Sequence, residues 1–402
     1  MIPIESHPGV PLTNHLLTVA NKCEKILSER KLEINYLPKW VLIRLAYIAG
    51  SIHDIGKATK YFQYYLKTKE VIGNKDHSLI SAFFGLFIAQ KWLDEQDEIE
   101  KKLKVLLASL LFVAIKRHHG NLKDFSSELG MLDIPKKKKK LLEQIDNFYQ
   151  KEAVQIINDV LKPKGLTFGW KEFVDFLKRD DTYYDLQDYV EEYTTQNPPN
   201  KIEGIRNFYI YQILYATLLQ ADKSDVILEK TIGEDKKVDF GSIEKYRKTN
   251  NWNNPTKDID KEKNRAYKNG LKQLDICFNP LQHLYSVTLP TGLGKTVTSF
   301  ALAMQMKKLI GNSAARIIVT IPFTSIIDQN YEVYNDILNK PPSSVILKHH
   351  HLSEPKYKED EDDVKNADES KFLIESWQSQ VVVTTFVPVS YTHLTLPTIY
   401  SV

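Results

Sequence analysis

Residues 41–57 read VLIRLAYIAGSIHDIGK, an apolar run that ends in the pair His53-Asp54 and, one turn on, Lys57. Apolar residues at helical spacing make Val41–His53 a helix with the pair at its end. The same spacing recurs in Leu12–Leu27, His77–Leu93, Leu103–His119 and Ile205–Leu228, and two further helices are predicted around 141–161 and 171–178. No stretch before residue 228 has the alternating β-branched pattern of a strand. Residues 1–228 are therefore expected to form an all-α domain.

A different grammar begins at Leu284. Short apolar runs at Tyr285–Leu289, Arg316–Ile321, Ser344–Leu347 and Gln380–Thr385 alternate with helical segments such as Thr296–Leu309. That βαβ order implies a parallel sheet covered by helices. From Glu229 to Gly270 the composition is polar and charged, with Asn-Trp-Asn-Asn-Pro at 251–255. Residues 229–262 are read as a linker, with a helix able to start at 258, and residues 263–387 as the second domain.

The bulk properties exclude little but agree with this division. A chain of 402 residues is too long for one ordinary core. A formal charge of +3 means that any nucleic-acid contact must use local patches. Only Cys23 and Cys277 are present, far apart, so the expected compartment is a reducing cytoplasm. The longest apolar run, Val105–Ile115, is too short to span a bilayer, and no membrane contact is expected. The five lysines of Lys136–Lys140 read as a solvated loop or helix end, with a DNA-phosphate contact as the alternative. Glu359–Asp363 reads as an exposed acidic loop.

Five of the 11 histidines fall at ends of apolar helices: His15, His53, His77, His118 and His119. Asp54 follows His53 directly, and Asp222 lies near the end of the last helix of the domain. A lone histidine on an apolar face is usually a satisfied core residue. As a set, imidazole nitrogens with two carboxylates suit a divalent transition metal, and a shared metal site is expected. Farther on, Pro290-Thr291-Gly292-Leu293-Gly294-Lys295-Thr296 lies between a predicted strand and a predicted helix. Backbone N–H groups of such a loop hold phosphate oxygens, Lys295 would reach the β- and γ-phosphates of ATP, and the Thr296 hydroxyl would hold Mg²⁺. The strict pattern has glycine where Leu289 stands.

The histidine and aspartate spacing resembles the HD phosphohydrolase superfamily. That resemblance implies one ion held by His15, His53, Asp54 and Asp222, and a second held by His77, His118 and His119 with Asp54 bridging. Lys57 matches a lysine that often follows the pair and would position substrate phosphate or nucleophile, so that His53, Asp54 and Lys57 form the catalytic group. Two such ions can clamp the attacking and leaving oxygens of an in-line displacement. Five nitrogen ligands favour Mn, Fe, Ni or Co.

The loop at 290–296 resembles the PTGxGKT form of superfamily 2 helicases. Pro322-Phe323-Thr324-Ser325 with Gln329, and Thr384-Thr385 at the end of a later strand, resemble their DNA-contacting motifs. The DNA-binding residues so implied are Pro322, Thr324, Ser325, Gln329, Thr384 and Thr385. His349-His350-His351 has no carboxylate or cysteine at ligand spacing and reads as a loop near the DNA path.

On one chain, these features resemble the CRISPR-associated HD nuclease–helicases. The resemblance covers about residues 1–387. It implies a metal-dependent HD nuclease domain followed by an α/β RecA-like domain, cutting single-stranded DNA moved 3′ to 5′ with ATP after recruitment by the type I RNA-guided surveillance complex. The chain departs from the family pattern after that. No Asp-Glu box follows a hydrophobic strand, and residues 388–402 resemble translated adapter read-through. The expectation is a fragment whose RecA-like domain is incomplete. Two rival readings are an HD-type nucleotide phosphohydrolase acting on small nucleotides, and an inert gene fragment.

Overall fold

Helices dominate, as the spacing requires, and the computed structural model places them in two compact units, one ending at Val226 and the other beginning at Ile227. It describes residues 3–386 apart from 31, 33, 35, 121–127, 129–133, 192–198, 228–237, 312–314, 351–373, 375 and 378. The acidic run Glu359–Asp363, His351 and the tail 388–402 lie outside the described residues.

The first unit opens with a hairpin, β1 (Glu5–His7) and β2 (Val10–Pro11), turning through Pro8-Gly9 with Gly9 at φ 79°. Strands this short show no alternation, which is why the all-helical reading passed over them. The helices are α1 (Leu12–Glu29), α2 (Lys39–Ile52), α3 (Lys60–Thr68), α4 (Ser78–Asp94), α5 (Lys101–Lys116), α6 (Ile134–Asp146), α7 (Gln150–Leu161), α8 (Trp170–Lys178), α9 (Asp181–Glu191) and α10 (Lys201–Ile227). The helix expected at 141–161 is thus two, and the five lysines lie in the first turns of α6. Helices α2 and α4 are apolar on nearly every side and form the centre of the core; α1 packs on α2, and α5 on α4.

Two close approaches set the relative heights of these helices. A Cβ on Gly50 would lie 2.8 Å from the Ala20 backbone, so only glycine lets α2 cross α1 this closely. A Cβ on Gly56, in the 3₁₀ turn Ile55–Ala58, would lie 2.6 Å from the His77 carbonyl. That turn, held by the Gly56 N–H donating to Ser81 Oγ at 2.9 Å, brings Asp54 to the start of α4.

The second unit contains α11 (Ser242–Thr249), α12 (Asp258–Cys277), α13 (Lys295–Ile310), β3 (Ile317–Thr320), α14 (Thr324–Ile337), β4 (Ile346–His349) and β5 (Val381–Thr384). The three strands are parallel in the order β3-β5-β4, with Ile317 and Ile346 both opposite Val381. The central strand β5 is buried along its whole length, which explains its unbroken apolar sequence.

Two expectations fail in this unit. Tyr285–Leu289 is not a strand: it joins no described ladder, and Leu284 and Val287 beside and within it are largely exposed. Apolar residues alone make no strand without a neighbour to supply backbone hydrogen bonds. The linker read at 229–262 contains α11, whose Ile243 packs with Val238 and Tyr267 in the core of this unit. Its charged composition reflects an amphipathic surface helix, not a solvated connection.

Candidate functional site

The seven metal-site candidates arrive from five helices. His15 is in the first turn of α1, His53 caps the C-terminus of α2, and Asp54 follows it. His77 precedes α4, His118 and His119 follow α5, and Asp222 lies within α10. All seven converge. Ligand atoms of His15, His53, Asp54 and Asp222 lie within 4.8 Å of one another, and so do those of Asp54, His77, His118 and His119. Asp54 belongs to both groups, its Oδ2 lying 3.3 Å from His15 Nε2 and its Oδ1 3.0 Å from His77 Nε2 and 3.2 Å from His118 Nε2.

Backbone geometry decides which nitrogens face inward. His53 donates from Nδ1 to the Gly50 carbonyl at 3.0 Å, and His118 from Nδ1 to the Ile115 carbonyl at 2.6 Å. A carbonyl only accepts, so Nδ1 carries a proton and Nε2 is the atom turned toward the carboxylates. His15 does the same through Asp225, with Nδ1 to Oδ2 at 2.9 Å. Pinning the outer nitrogen is how proteins orient imidazole ligands.

The spacing tests whether these residues fit divalent ions. Ligand bonds of about 2.0–2.1 Å give polyhedron edges of about 3.0–3.4 Å. His15 Nε2 to Asp222 is 3.4 Å, His53 Nε2 to Asp222 is 3.3 Å, and His77 Nε2 to His119 Nε2 is 2.8 Å. His15 Nε2 is buried between Asp54 and Asp222, 3.3 and 3.4 Å away, with no well-formed hydrogen bond to either. A buried ring nitrogen without a well-aligned partner is costly unless something binds it. The donor set fits two divalent ions.

The electrostatics point the same way. Burial would push the Asp54 carboxyl up, but His53, Lys57, His118 and His15 hold it well below the usual carboxylate range. Asp222 is likewise ionised despite its burial, held by His53 and His15. Burial would strip the proton from His15, yet Asp222, Asp225 and Asp54 raise its pKa to about 11. Burial and the neighbouring His118 depress His119 to about 2, and burial also lowers His77. Two buried carboxylates thus hold positive charge between them, whether a proton or a cation. Lys57 supplies part of it, with Nζ 2.6 Å from Asp54 Oδ2.

The pocket has a closed and an open side. His15, His53, Asp54 and His118 are almost wholly buried, whereas the His119 side chain is 52 % exposed. The cluster is thus open chiefly at His119, with His77 slightly exposed.

In the second unit, the loop 290–296 turns at Gly292 and Gly294, with φ of 87° and 74°. A side chain at either would be strained in this left-handed region. Gly294 caps α13 with no side-chain hydrogen bond, so no side chain of the cap occupies the helix's first-turn N–H groups. Pro290, Thr291 and Lys295 are exposed, and Leu293 and Thr296 half-buried.

Pro322, Ser325 and Gln329 are exposed and Thr324 half-buried, at or near the start of α14. Thr384 and Thr385 differ: both are buried, and neither hydroxyl has a partner. As the end of the central strand, they are not offered to a DNA strand in this structure, contrary to the motif-based expectation. The Ile321 N–H to Thr384 carbonyl bond of 2.9 Å nevertheless puts both motifs at the carboxyl end of the sheet. His349 ends β4 and accepts from Trp377 Nε1 at 2.7 Å, so it is not a loop residue.

Sequence reasoning missed Asp225 and His7. Asp225 lies three residues after Asp222, the spacing that puts two carboxylates on one helix face. That signal was present. His7 packs edge-on against His15 with ring centroids 5.4 Å apart, delivered by a hairpin the sequence did not announce.

Comparison with known proteins agrees with this geometry. Residues 4–171 match the Cas3 HD domain family, and residues 256–389 match the family of type III restriction enzyme res subunits. The CRISPR-associated nuclease/helicase Cas3 of Haloferax volcanii is 26 % identical over 377 residues, covering 86 % of this chain and 39 % of its own length. Crystal structures of T. fusca Cas3 with AMPPNP and with ADP are each 15 % identical and cover 94 % of this chain and 42 % of theirs, with TM-scores of 0.47 and 0.46. The chain thus spans about two fifths of the length of these relatives. It pairs a segment similar to the Cas3 HD domain with a helicase-type segment, and over most of its length it is similar to a CRISPR-associated nuclease/helicase.

Proposed function

We propose that the first unit is a two-ion phosphodiesterase that cuts single-stranded DNA, and that the second carries the ATP site of a 3′–5′ DNA motor acting in type I CRISPR defence. The observation that carries the nuclease reading is Asp54, a buried carboxylate with one oxygen turned to each of two histidine-rich groups. Divalent transition ions held there, Mn, Fe, Ni or Co, supply Lewis acidity toward a phosphoryl oxygen and acidify water near neutral pH.

The chain's own residues do the rest. His15, His53 and Asp222 on the closed side, and His77, His118 and His119 on the open side, fix two ligand sets at a spacing that Asp54 shares. The Nδ1 bonds of His53 and His118 keep both rings from turning. Lys57, locked one turn from Asp54, places a further positive charge beside the shared carboxylate, where it would face a substrate phosphate. The surrounding core excludes water from all but the His119 side. In the second unit, the loop 290–296 would bind ATP with Mg²⁺, with exposed Pro322, Ser325 and Gln329 and half-buried Thr324 toward the DNA backbone. The partners in this reading are single-stranded DNA and the RNA-guided surveillance complex.

The test compares manganese-dependent cleavage of single-stranded DNA by the whole chain with its hydrolysis of deoxynucleoside triphosphates. DNA cleavage at the higher catalytic efficiency is expected. Faster triphosphate hydrolysis would favour a small-nucleotide phosphohydrolase, and activity on neither would favour an inert relic.

A further inference from the structure

Three buried histidines present Nε2 to the centre, but they are not held alike. His53 and His118 each use a carbonyl three residues back in the same helix region. His15 stands in the first turn of α1, and its Nδ1 uses no such carbonyl. Its Nδ1 partner is instead a carboxylate 210 positions away, Asp225 Oδ2 at 2.9 Å. Asp225 is one turn beyond Asp222 on α10, so one helix face sets a carboxylate at each ring nitrogen of His15. Lys22, two turns along α1 from His15, bonds the other oxygen, with Nζ to Oδ1 at 3.0 Å.

We infer that Asp225, held by Lys22, is a positioning residue for His15. It sets the ring's orientation and raises its basicity toward the ion bound with His53, Asp54 and Asp222, without touching ion or substrate. A backbone carbonyl orients a ring but carries no net charge, whereas a carboxylate does both. The two ion sites are therefore built unequally: the closed-side set depends on a salt bridge between the first and last helices of the unit, and the open-side set does not.

This inference rests on the two-ion reading, and its test separates the two. Mn²⁺ is titrated into the full chain, with calorimetry for affinity and electron paramagnetic resonance to tell a spin-coupled pair from an isolated ion. The wild type is expected to bind two ions and show the coupled signal. Asp225→Ala is expected to bind one ion at wild-type strength and the other about 10–100-fold more weakly, with an isolated-ion spectrum at intermediate Mn²⁺. Asp225→Glu should recover part of the loss, and Lys22→Met should show a smaller loss in the same site. Thermal unfolding of the ion-free variants accompanies the titration, because mere loosening of the fold would weaken both sites together. Two ions at wild-type affinity in Asp225→Ala, or equal weakening of both, would overturn the role of Asp225 alone. A wild-type chain without a coupled pair would overturn the two-ion reading, and this inference with it.

Discussion

The two units of this chain hold their candidate sites in opposite ways. In the first, five of the seven candidate ligands are buried, and His53, His118 and His15 are oriented by bonds already made within the protein. In the second, the nucleotide loop is shaped by two glycines at positive φ, but its side chains are exposed or half-exposed and the segment leading into it joins no described ladder. The first site is preorganised by packing; the second is a backbone cradle that phosphate oxygens would complete. Charge explains the difference. A cluster of carboxylates and imidazoles in low dielectric must be arranged before a cation arrives, while an anion site needs only N–H groups left free at a helix start.

The largest effect that can break this contrast is loss of the shared carboxylate. Asp54→Ala should lower manganese-dependent DNA cleavage by about 10³-fold or more and abolish the coupled ion pair, since neither group keeps its common ligand. Retained cleavage would show that convergence of the seven residues has no bearing on chemistry. Lys295→Ala tests the other side. Losing one charge-assisted contact of about 1.5–3 kcal/mol should weaken binding of a nonhydrolysable ATP analogue by about 10–100-fold. Binding at wild-type strength would mean that the 290–296 loop is not the nucleotide site.

Much of the first unit was legible because its chemistry is tied to helix ends. Apolar spacing locates helices, and residues at their boundaries, such as His53, His77 and His118, are where the chain can turn a polar side chain inward. What the sequence could not convey was tertiary. Nothing local announces that Gly50 sits against Ala20, or that Asp225 finds His15 across 210 positions. The second unit was read with the same rules and less success. Val381–Val383 form a strand because two neighbours flank them, while Tyr285–Leu289, equally apolar, lack a described neighbour. Likewise, the charge of Ser242–Thr249 hid the few apolar contacts that hold α11 in place.

A proton balance sharpens the contrast more gently. In the ion-free protein, His15 keeps its proton up to about 11, against an ordinary value of 6.5. A raised folded pKa contributes stability fully below pH 6.5, and that contribution declines as pH rises toward 11. Ion binding must displace this proton, so affinity for the closed-side ion should rise by up to about tenfold per pH unit above 6.5. The melting temperature of the manganese-loaded chain should therefore pull away from that of the ion-free chain between about pH 6.5 and 8.5, by up to about 1.4 kcal/mol of added stabilisation per unit. A gap that stays constant would show that no proton is exchanged at His15.

The smallest expected effect concerns Thr384 and Thr385, where burial and motif resemblance disagree. Both hydroxyls are buried without partners, at 0 % and 6 % exposure. An unpaired buried hydroxyl costs about 1–3 kcal/mol, and valine has nearly the same shape and suits a central strand. Thr384→Val should therefore leave the urea midpoint unchanged or raise it, by about 1 kcal/mol at most once repacking is included. The same substitution should alter single-stranded DNA affinity less than about twofold, whereas Gln329→Ala on the exposed start of α14 should weaken it further and reduce its salt dependence little, since glutamine carries no charge. A marked loss of DNA affinity in Thr384→Val would mean that the sheet's carboxyl end opens when DNA binds. The second unit would then be completed by its ligand through strand as well as loop, and the contrast with the rigid metal centre would be greater than the structure alone displays.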